Sequence, residues 1–600
     1  MKKFKLLMQF LHGSGRTYCL AILSVLCMTL FSVTVPLIIK TTVDSIIGDE
    51  PLNLPVWIGN ILEQIGGLEA IRSNLWIILI VLVIITLFQG FFMFFKGKLS
   101  ATAAQSSSKR MRERLYDHLQ HLPFDYHVKA QTGDIVQRCT SDIETVQNFI
   151  SGQSVEAIQI IIQVIVVLII MLSMSLQYTL VSIVLIPIVF IITVRFFVNM
   201  MKIFLETDEA EGILSATLQE NLTGVRVVKA FGAQKFEMEK FDEKNKTHRD
   251  LSLKIVRLMA NFFGGTDLIC MLQHALVLII GTYWATQGTI TIGTIIAFSS
   301  YAGMLVWPLR GLGQMMGFMG QSFVSLGRIK EILDTEPENY HEGLSDNPIH
   351  GEIVFKDVHF EYEKGKPILE GVSFKIKKGQ TAAILGATGS GKSSLVHLLL
   401  RLYDYQKGHI TIDGVELSTI SREWIRKNIG MVLQEPFLFS KTIFENIKIG
   451  DYNVQDDDIR TAAQTASVHD AIMEFEKGYD TIVGERGVTL SGGQRQRIAI
   501  ARTVAKDVPI LIFDDSLSAV DTETDAQIRQ ALRERRKDTT TLIISHRITT
   551  LAEADLILVL DKGRITEQGS HDELIASNGL YKRIWEIQSA MGDDLIEDVG

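Results

Sequence analysis

The chain has 600 residues, enough for more than one domain. Its net charge of −9, with no dominant basic face, argues against a nucleic-acid partner. Hydrophobic residues reach 47%, concentrated as long runs in the first half, which excludes an ordinary soluble protein.

Lys2, Lys3 and Lys5 alternate with Phe4, Leu6, Leu7, Met8 and Phe10, so Met1–Leu11 is expected as an amphipathic helix on the inner membrane surface. A membrane-spanning helix needs about 20 apolar residues. Six stretches qualify: 17–39, 75–95, 157–174, 178–194, 264–286 and 290–312. The third and fourth are joined by a very short turn, as are the fifth and sixth, so each pair forms a tight hairpin. The run 17–39 is too long for a signal-peptide core, so it is read as a retained span. The four cysteines, Cys19, Cys27, Cys139 and Cys270, have no metal-ligand spacing and are read as reduced packing residues.

Charge sets the orientation. Lys96, Lys98, Lys109, Arg110, Arg112, Arg114, Lys129 and Arg138 lie between the second and third spans, and Arg195, Lys202, Arg226, Lys229 and Lys235 between the fourth and fifth. The segment between the first two spans is acidic, with Asp44, Asp49, Glu50, Glu63 and Glu69 against Arg72. Both termini and both long loops are therefore expected in the cytoplasm. Asp267 sits near the inner end of the fifth span with Gln273 and His274 above it; they form a polar patch in a substrate cavity, or Asp267 lies at the headgroup boundary or makes an interhelical hydrogen bond. Phe298, Tyr301, Met304, Trp307, Met315, Met316, Phe318 and Met319 suit either apolar substrate binding or plain packing.

Residues 1–321 are expected to form the membrane domain, 322–350 a polar linker, 351–587 a globular α/β domain and 588–600 a disordered acidic tail with Asp593, Asp594, Glu597 and Asp598. The α/β domain carries Gly386-Ala387-Thr388-Gly389-Ser390-Gly391-Lys392-Ser393, a phosphate-cradling loop pattern. It sits between the apolar run Thr381–Leu385 and a stretch with Leu395, Leu398, Leu399 and Leu402 at helical spacing. Glycines let backbone N–H groups close around phosphate oxygens, and the helix start adds partial positive charge. Lys392 is placed to reach the β- and γ-phosphates, Ser393 to bind Mg²⁺, and Ser394 follows as part of the same nucleotide site. The apolar run Ile510–Phe513 delivers Asp514, a second expected Mg²⁺ holder.

Between these lies Leu490-Ser491-Gly492-Gly493-Gln494. This combination resembles the signature of ATP-binding-cassette (ABC) proteins, and six spans ahead of it resemble an exporter half-transporter of the type IV kind. The resemblance spans essentially the whole chain. It implies an ATP hydrolase coupled to transport, with ATP and Mg²⁺ as cofactors. It implies that Tyr362 stacks on adenine, that Gln434 senses Mg²⁺ and that Gly484-Glu485-Arg486-Gly487 touches the intracellular helices. It further implies that Ser518-Ala519-Val520-Asp521 crosses a dimer interface, that His546 contacts the γ-phosphate, and that Phe124–Lys129 and Gly224–Phe231 dock on nucleotide domains. Ser491, Gly492, Gly493 and Gln494 would complete the ATP site of a second chain.

One position departs from the family. Asp515 follows Asp514 where the family usually has Glu, the residue that polarises the attacking water. Asp is one methylene shorter, and a shortfall of about 1 Å can cost on the order of 10²-fold in rate. The expectation is a slow site in one half of a bacterial heterodimeric multidrug exporter, whose partner carries an intact Glu. Its cargo is expected to be hydrophobic small molecules or peptides, and its location the plasma membrane, multi-pass. A homodimeric lipid flippase or drug exporter, and a non-transporting ATP-gated regulator, are the alternatives.

Overall fold

The computed structural model describes residues 2–48, 50–51, 67–484, 487, 489–516, 520–535 and 538–597. Asp49, Glu63, Glu485, Arg486, Ser518, Ala519 and Asp598 thus lie outside the described residues. The chain forms two compact units, Met1–Gln120 with Ala130–Glu336, and His121–Lys129 with Pro337–Gly600.

In the first unit the expected spans fall on helices. These are α1 (Lys2–Leu11), α2 (Gly15–Thr41), α3 (Trp76–Gln120), α5 (Thr132–Met174), α6 (Leu176–Ile183), α7 (Ile186–Thr223), α9 (Gln234–Thr286) and α10 (Ile292–Asp334). Two short helices are α4 (Phe124–Lys129, in the second unit) and α8 (Val225–Ala230). Among the described residues, five helical runs are long and apolar enough to cross a membrane, and Ile292–Val306 is a shorter apolar stretch at the start of α10. The chain is an integral membrane protein with a helical membrane region.

Backbone groups inside a bilayer must be satisfied by protein, and this explains how the spans lock together. Pro187 cannot donate and its ring obstructs the carbonyl one turn back, so the fourth span breaks between α6 and α7. Gln273 of α9, 1% exposed, bridges the break. Its Nε2 donates to the Val181 carbonyl at 3.0 Å, and its Oε1 accepts from the Leu185 N–H at 3.1 Å. Tyr178 donates to the Val277 carbonyl and Tyr301 to the Val33 carbonyl, each at 2.8 Å. Phe298 and Tyr301 are fully buried in this cluster, so they are packing residues, whereas Phe318 and Met319 are exposed. Asp44 caps α10, its Oδ1 accepting from Gly293 N–H at 2.7 Å and its Oδ2 from Thr291 Oγ1 at 2.5 Å.

Leu7, Phe10 and Leu11 of α1 are buried against protein, not left to lie on a bilayer. The Phe10 carbonyl accepts from Ser107 Oγ at 3.0 Å and from Arg110 at 2.8 Å, which ties α1 to α3. No disulfide joins any of the four cysteines.

Two expected boundaries shift. Residues 322–334 are helical, not linker, because Ser322, Ser325, Leu326, Ile329 and Ile332 form a buried stripe at helical spacing that the polar composition hid. The acidic tail is helical through Glu597, in α14 (Leu580–Glu597), because an established helix extends at little cost per added residue.

The second unit has two sheets. The antiparallel one has strand order β2-β1-β4-β5, built from β1 (Ile353–Glu363), β2 (Lys366–Ile376), β4 (Lys407–Ile412) and β5 (Val415–Glu416). The other has order β10-β9-β3-β8-β7-β6, from β3 (Thr381–Leu385), β6 (Ile429–Val432), β7 (Ile510–Asp514), β8 (Thr540–Ile544), β9 (Leu556–Asp561) and β10 (Arg564–Gly569). Its strands are parallel except β10. The strands β3 and β7 read as unbroken apolar runs because helices cover both faces of a parallel sheet. The carboxyl ends of β3, β7 and β8 open on one edge, the usual ligand crevice of an open α/β sheet.

Replacing Gln273 with Leu leaves the Val181 carbonyl and Leu185 N–H without this partner. The expected loss is about 1–2 kcal/mol of unfolding free energy in detergent. Unfolding followed by circular dichroism checks it, and an unchanged midpoint would show that water or a rotated backbone replaces the amide.

Candidate functional site

Leu385 ends β3 at the centre of the sheet, and α11 (Lys392–Leu399) starts seven residues on. The loop between them is shaped by close approaches. A Cβ on Gly386 would press on Ser390 Oγ at 2.7 Å and on the Leu560 carbonyl, and one on Gly391 would meet Leu369 Cδ2 at 2.7 Å. Gly389 and Gly391 have φ of +83° and +104°, the left-handed region that glycine enters without penalty. The Lys392 ammonium donates to the Gly386 and Ala387 carbonyls at 2.8 Å each. Burial pushes the Lys392 pKa down, while Asp514 and Asp515 pull it up. Ser390 Oγ is buried without a hydrogen-bond partner among the described residues. A Gly-lined loop, a helix start, an ammonium and an orphaned hydroxyl form a donor set that fits a polyphosphate.

Asp514 at the end of β7 accepts from Ser393 Oγ at 3.3 Å. Burial raises the Asp514 pKa, and the Ser393 hydrogen bond opposes that. The two expected Mg²⁺ holders are therefore neighbours, while Gln434, exposed after β6, is not hydrogen-bonded to them.

Asp515 turns with φ of +45°, a conformation Asp tolerates better than most residues. His546, two residues past β8, donates from Nδ1 to Asp515 Oδ1 at 3.0 Å. The two expected catalytic residues thus pair directly, which sequence spacing did not reveal. Arg547 beside it donates to the Val520 carbonyl at 3.1 Å.

Tyr362 at the end of β1 shares a hydrogen bond with Ser394 Oγ at 2.9 Å and lies 3.4 Å from His397 Nδ1. Its ring meets that of Tyr403 edge-on at 4.8 Å. Phe124 of α4 packs on both Tyr403 and His397, with ring centroids 5.8 Å apart in each case. His397 and Tyr403 escaped the sequence reading; His397 was findable, lying three residues after Ser394 on the same helix face.

Ser491 to Gln494 stand apart from this cluster in the hydrogen-bond pattern. Ser491 Oγ accepts from Gln494 N–H at 3.2 Å, and Gln494 Oε1 accepts from Ser491 N–H at 2.9 Å. This capping box opens α12 (Gly492–Ala505). Ser491 and Gly492 are exposed, with open space where a Gly492 Cβ would sit. Asp521 caps α13 (Thr522–Arg535) by accepting from Thr524 N–H at 2.9 Å.

Residues 18–309 match the family model described as ABC transporter transmembrane region, and residues 369–518 the one described as ABC transporter. A Bacillus subtilis protein named "Uncharacterized ABC transporter ATP-binding protein YknU" is 34% identical, over 98% of both chains. The chain belongs to the ABC transporter family. Another B. subtilis relative, "Putative multidrug export ATP-binding/permease protein YgaD", is 35% identical over 80% of this chain and 83% of its own. A solved bacterial Atm1-family ABC exporter with ATP bound superposes with a TM-score of 0.81 at 27% identity, covering 96% of this chain and 98% of the other. This ABC exporter therefore couples ATP hydrolysis to transport, and ATP is the ligand of its second unit.

The exporter's glycines are not equivalent. Gly386→Ala is expected to lower nucleotide affinity at least about 10-fold, because the Cβ displaces Ser390 and the Leu560 carbonyl. Gly492→Ala, in open space, should leave thermal stability within about 0.5 kcal/mol. Fluorescent-nucleotide titration of Gly386→Ala and thermal melting of Gly492→Ala check this, and wild-type nucleotide affinity for Gly386→Ala would contradict it.

Proposed function

We propose that this exporter moves hydrophobic or amphipathic compounds out across the plasma membrane as one half of a heterodimer. Its own Lys392–Asp515 site is the slow one. The observation that carries this is Asp515, one methylene short of the usual Glu, in a chain whose signature Ser491–Gln494 is intact, with Ser491 and Gly492 exposed. The name of the YgaD relative supports the cargo class. The apolar tip around α8 supports a second chain. Val227, Phe231, Phe236 and Met238 are exposed there, at 60, 83, 66 and 72%, as an apolar patch awaiting a protein surface would be. The basic loops place both termini in the cytoplasm.

In this reading Tyr362 stacks on the adenine, and the loop 386–391 with Lys392 and Ser394 binds the phosphates. Ser393 and Asp514, with Gln434, hold Mg²⁺, which neutralises phosphate charge when bound. Asp515 orients water, and His546 fixes the far end of the nucleotide while bonded to Asp515. Ser491, Gly492, Gly493 and Gln494 face the partner's ATP, with Asp521 near the interface. ATP favours the closed pair and hydrolysis releases it, shifting the membrane helices between inward and outward access.

A second reading has one specific support. Asp515 reaches His546 at 3.0 Å, so the short carboxylate still engages its partner, as a homodimer using Asp515 at both sites would require. Affinity purification from the native membrane, with mass spectrometry of the co-purifying chain, separates the two. A stoichiometric second chain bearing Glu after its strand-ending Asp supports the heterodimer, and self-dimers alone overturn it. Vectorial, substrate-stimulated uptake into inverted vesicles excludes a non-transporting regulator.

Asp515→Glu is expected to raise the ATPase rate of this chain's own site about 10-fold or more, read in an assembled transporter whose partner site is silenced by Glu→Gln at its catalytic position. An unchanged rate means that Asp515 is not what limits the site. The raised pKa of Asp514 has a sign that can be tested. A carboxyl whose folded pKa is raised binds its proton more tightly in the folded state, so ionised Asp514 lowers stability above that pKa and Mg²⁺ offsets the loss. The Mg²⁺ dependence of ATP binding should therefore fade on acidification above the ordinary aspartate range. Asp514→Asn should abolish the pH step, as read by nucleotide titration with and without Mg²⁺.

A further inference from the structure

We infer that Gln588, on the C-terminal helix α14, is a positioning residue for His546. The inference rests on the reading of Asp515 and His546 as hydrolytic groups. Gln588 Nε2 donates to the His546 carbonyl at 2.8 Å, and Gln588 Oε1 accepts from the Ile548 N–H at 2.9 Å. One side-chain amide thus spans His546-Arg547-Ile548.

The backbone there needs such a partner. β8 ends at Ile544 and a short helix, Ile548–Ala552, begins at Ile548, so His546 belongs to neither ladder. The residue before that helix, Arg547, supplies no side-chain cap. The first N–H groups of any helix have no partner within it. Gln588 supplies a cap from 40 residues away and, with its other end, holds the carbonyl of the histidine itself.

Its base is rigid. Tyr581 is fully buried and its hydroxyl meets His571 Nδ1 at 2.7 Å. Ile584 and Trp585 pack into the cluster of Ala383, Leu385, Ile548 and Leu551. Gln588 lies one helical turn beyond them on the same face. On its far side, His546 is tied to Asp515 and Arg547 to Val520. The histidine ring is set by Asp515 and its backbone by α14, so the C-terminal helix reports directly to the nucleotide edge of the sheet.

The test uses the assembled transporter in lipid nanodiscs, in the native and the Asp515→Glu backgrounds, each with the partner site silenced by Glu→Gln at its catalytic position, so that neither slow chemistry nor the partner's turnover masks the effect. Gln588→Ala is expected to lower kcat about 5- to 10-fold with KM for ATP within about twofold, as loss of orientation without loss of binding does. Gln588→Glu keeps the acceptor for Ile548 N–H but turns a carboxylate oxygen on the His546 carbonyl. Its protonated form restores the donor, so its activity relative to wild type should rise about twofold or more as the pH falls from about 7 towards about 5. A merely structural cap would not produce that profile. Ile587→Ala, exposed on the same helix, should turn over as wild type does. If Gln588→Ala melts earlier, the judgement falls on the isosteric Glu variant. Wild-type kcat for Gln588→Ala in both backgrounds, or a wild-type pH profile for Gln588→Glu, overturns the inference. If His546→Ala also leaves hydrolysis untouched, it is the reading of the site that fails; if only the Gln588 variants are silent, this inference fails alone.

Discussion

The nucleotide site depends on the parallel pairing of three strands. β3 pairs with β8 and β8 with β7, in a register that brings Ile384 and Asp514 each opposite Ile544. Parallel strands all end at the same edge. That edge collects the phosphate loop after β3, Asp514 and Asp515 at the end of β7, and His546 just past β8. A hundred and sixty residues of intervening sequence separate the first from the last. Were one strand antiparallel, its group would open on the opposite edge, and no side chain is long enough to cross five residues of strand.

A different constraint governs the membrane region. With no water in the hydrocarbon, an interrupted helix must find its hydrogen-bond partners in neighbouring protein. Gln273 does this at the break beside Pro187, and Asp44 at the start of α10. Tyr178 and Tyr301 add buried hydroxyl donors to neighbouring helices. Each bond is worth little alone. Together they select one packing among helices whose apolar faces would accept many.

The same economy of polar contacts appears where α4 meets its own unit. Phe124 packs on Tyr403 and His397, and these touch Tyr362. A segment drawn from between the membrane helices therefore sits two contacts from the aromatic expected on adenine. At the opposite end of the chain, α14 reaches the His546 backbone. Two elements remote in sequence thus bear on one crevice.

The domain order, the apolar helices of the membrane region, the phosphate loop, the signature and the strand-ending Asp514 were all legible in the sequence. Each is a local pattern, because hydropathy runs, helical spacing and glycine placement are imposed by neighbours a few residues away. The departure at Asp515 was equally plain, since it is a matter of residue identity. The sequence alone misplaced the end of α10, because the buried stripe from Ser322 to Ile332 uses serines that only packing reveals as interior. It did not pair Asp515 with His546, set Tyr403 and His397 around Tyr362, or bring Gln588 to the histidine loop. Those contacts join residues 31 to 42 positions apart or more. They exist only once sheet register and helix packing have closed the intervening chain, and no local spacing carries that information.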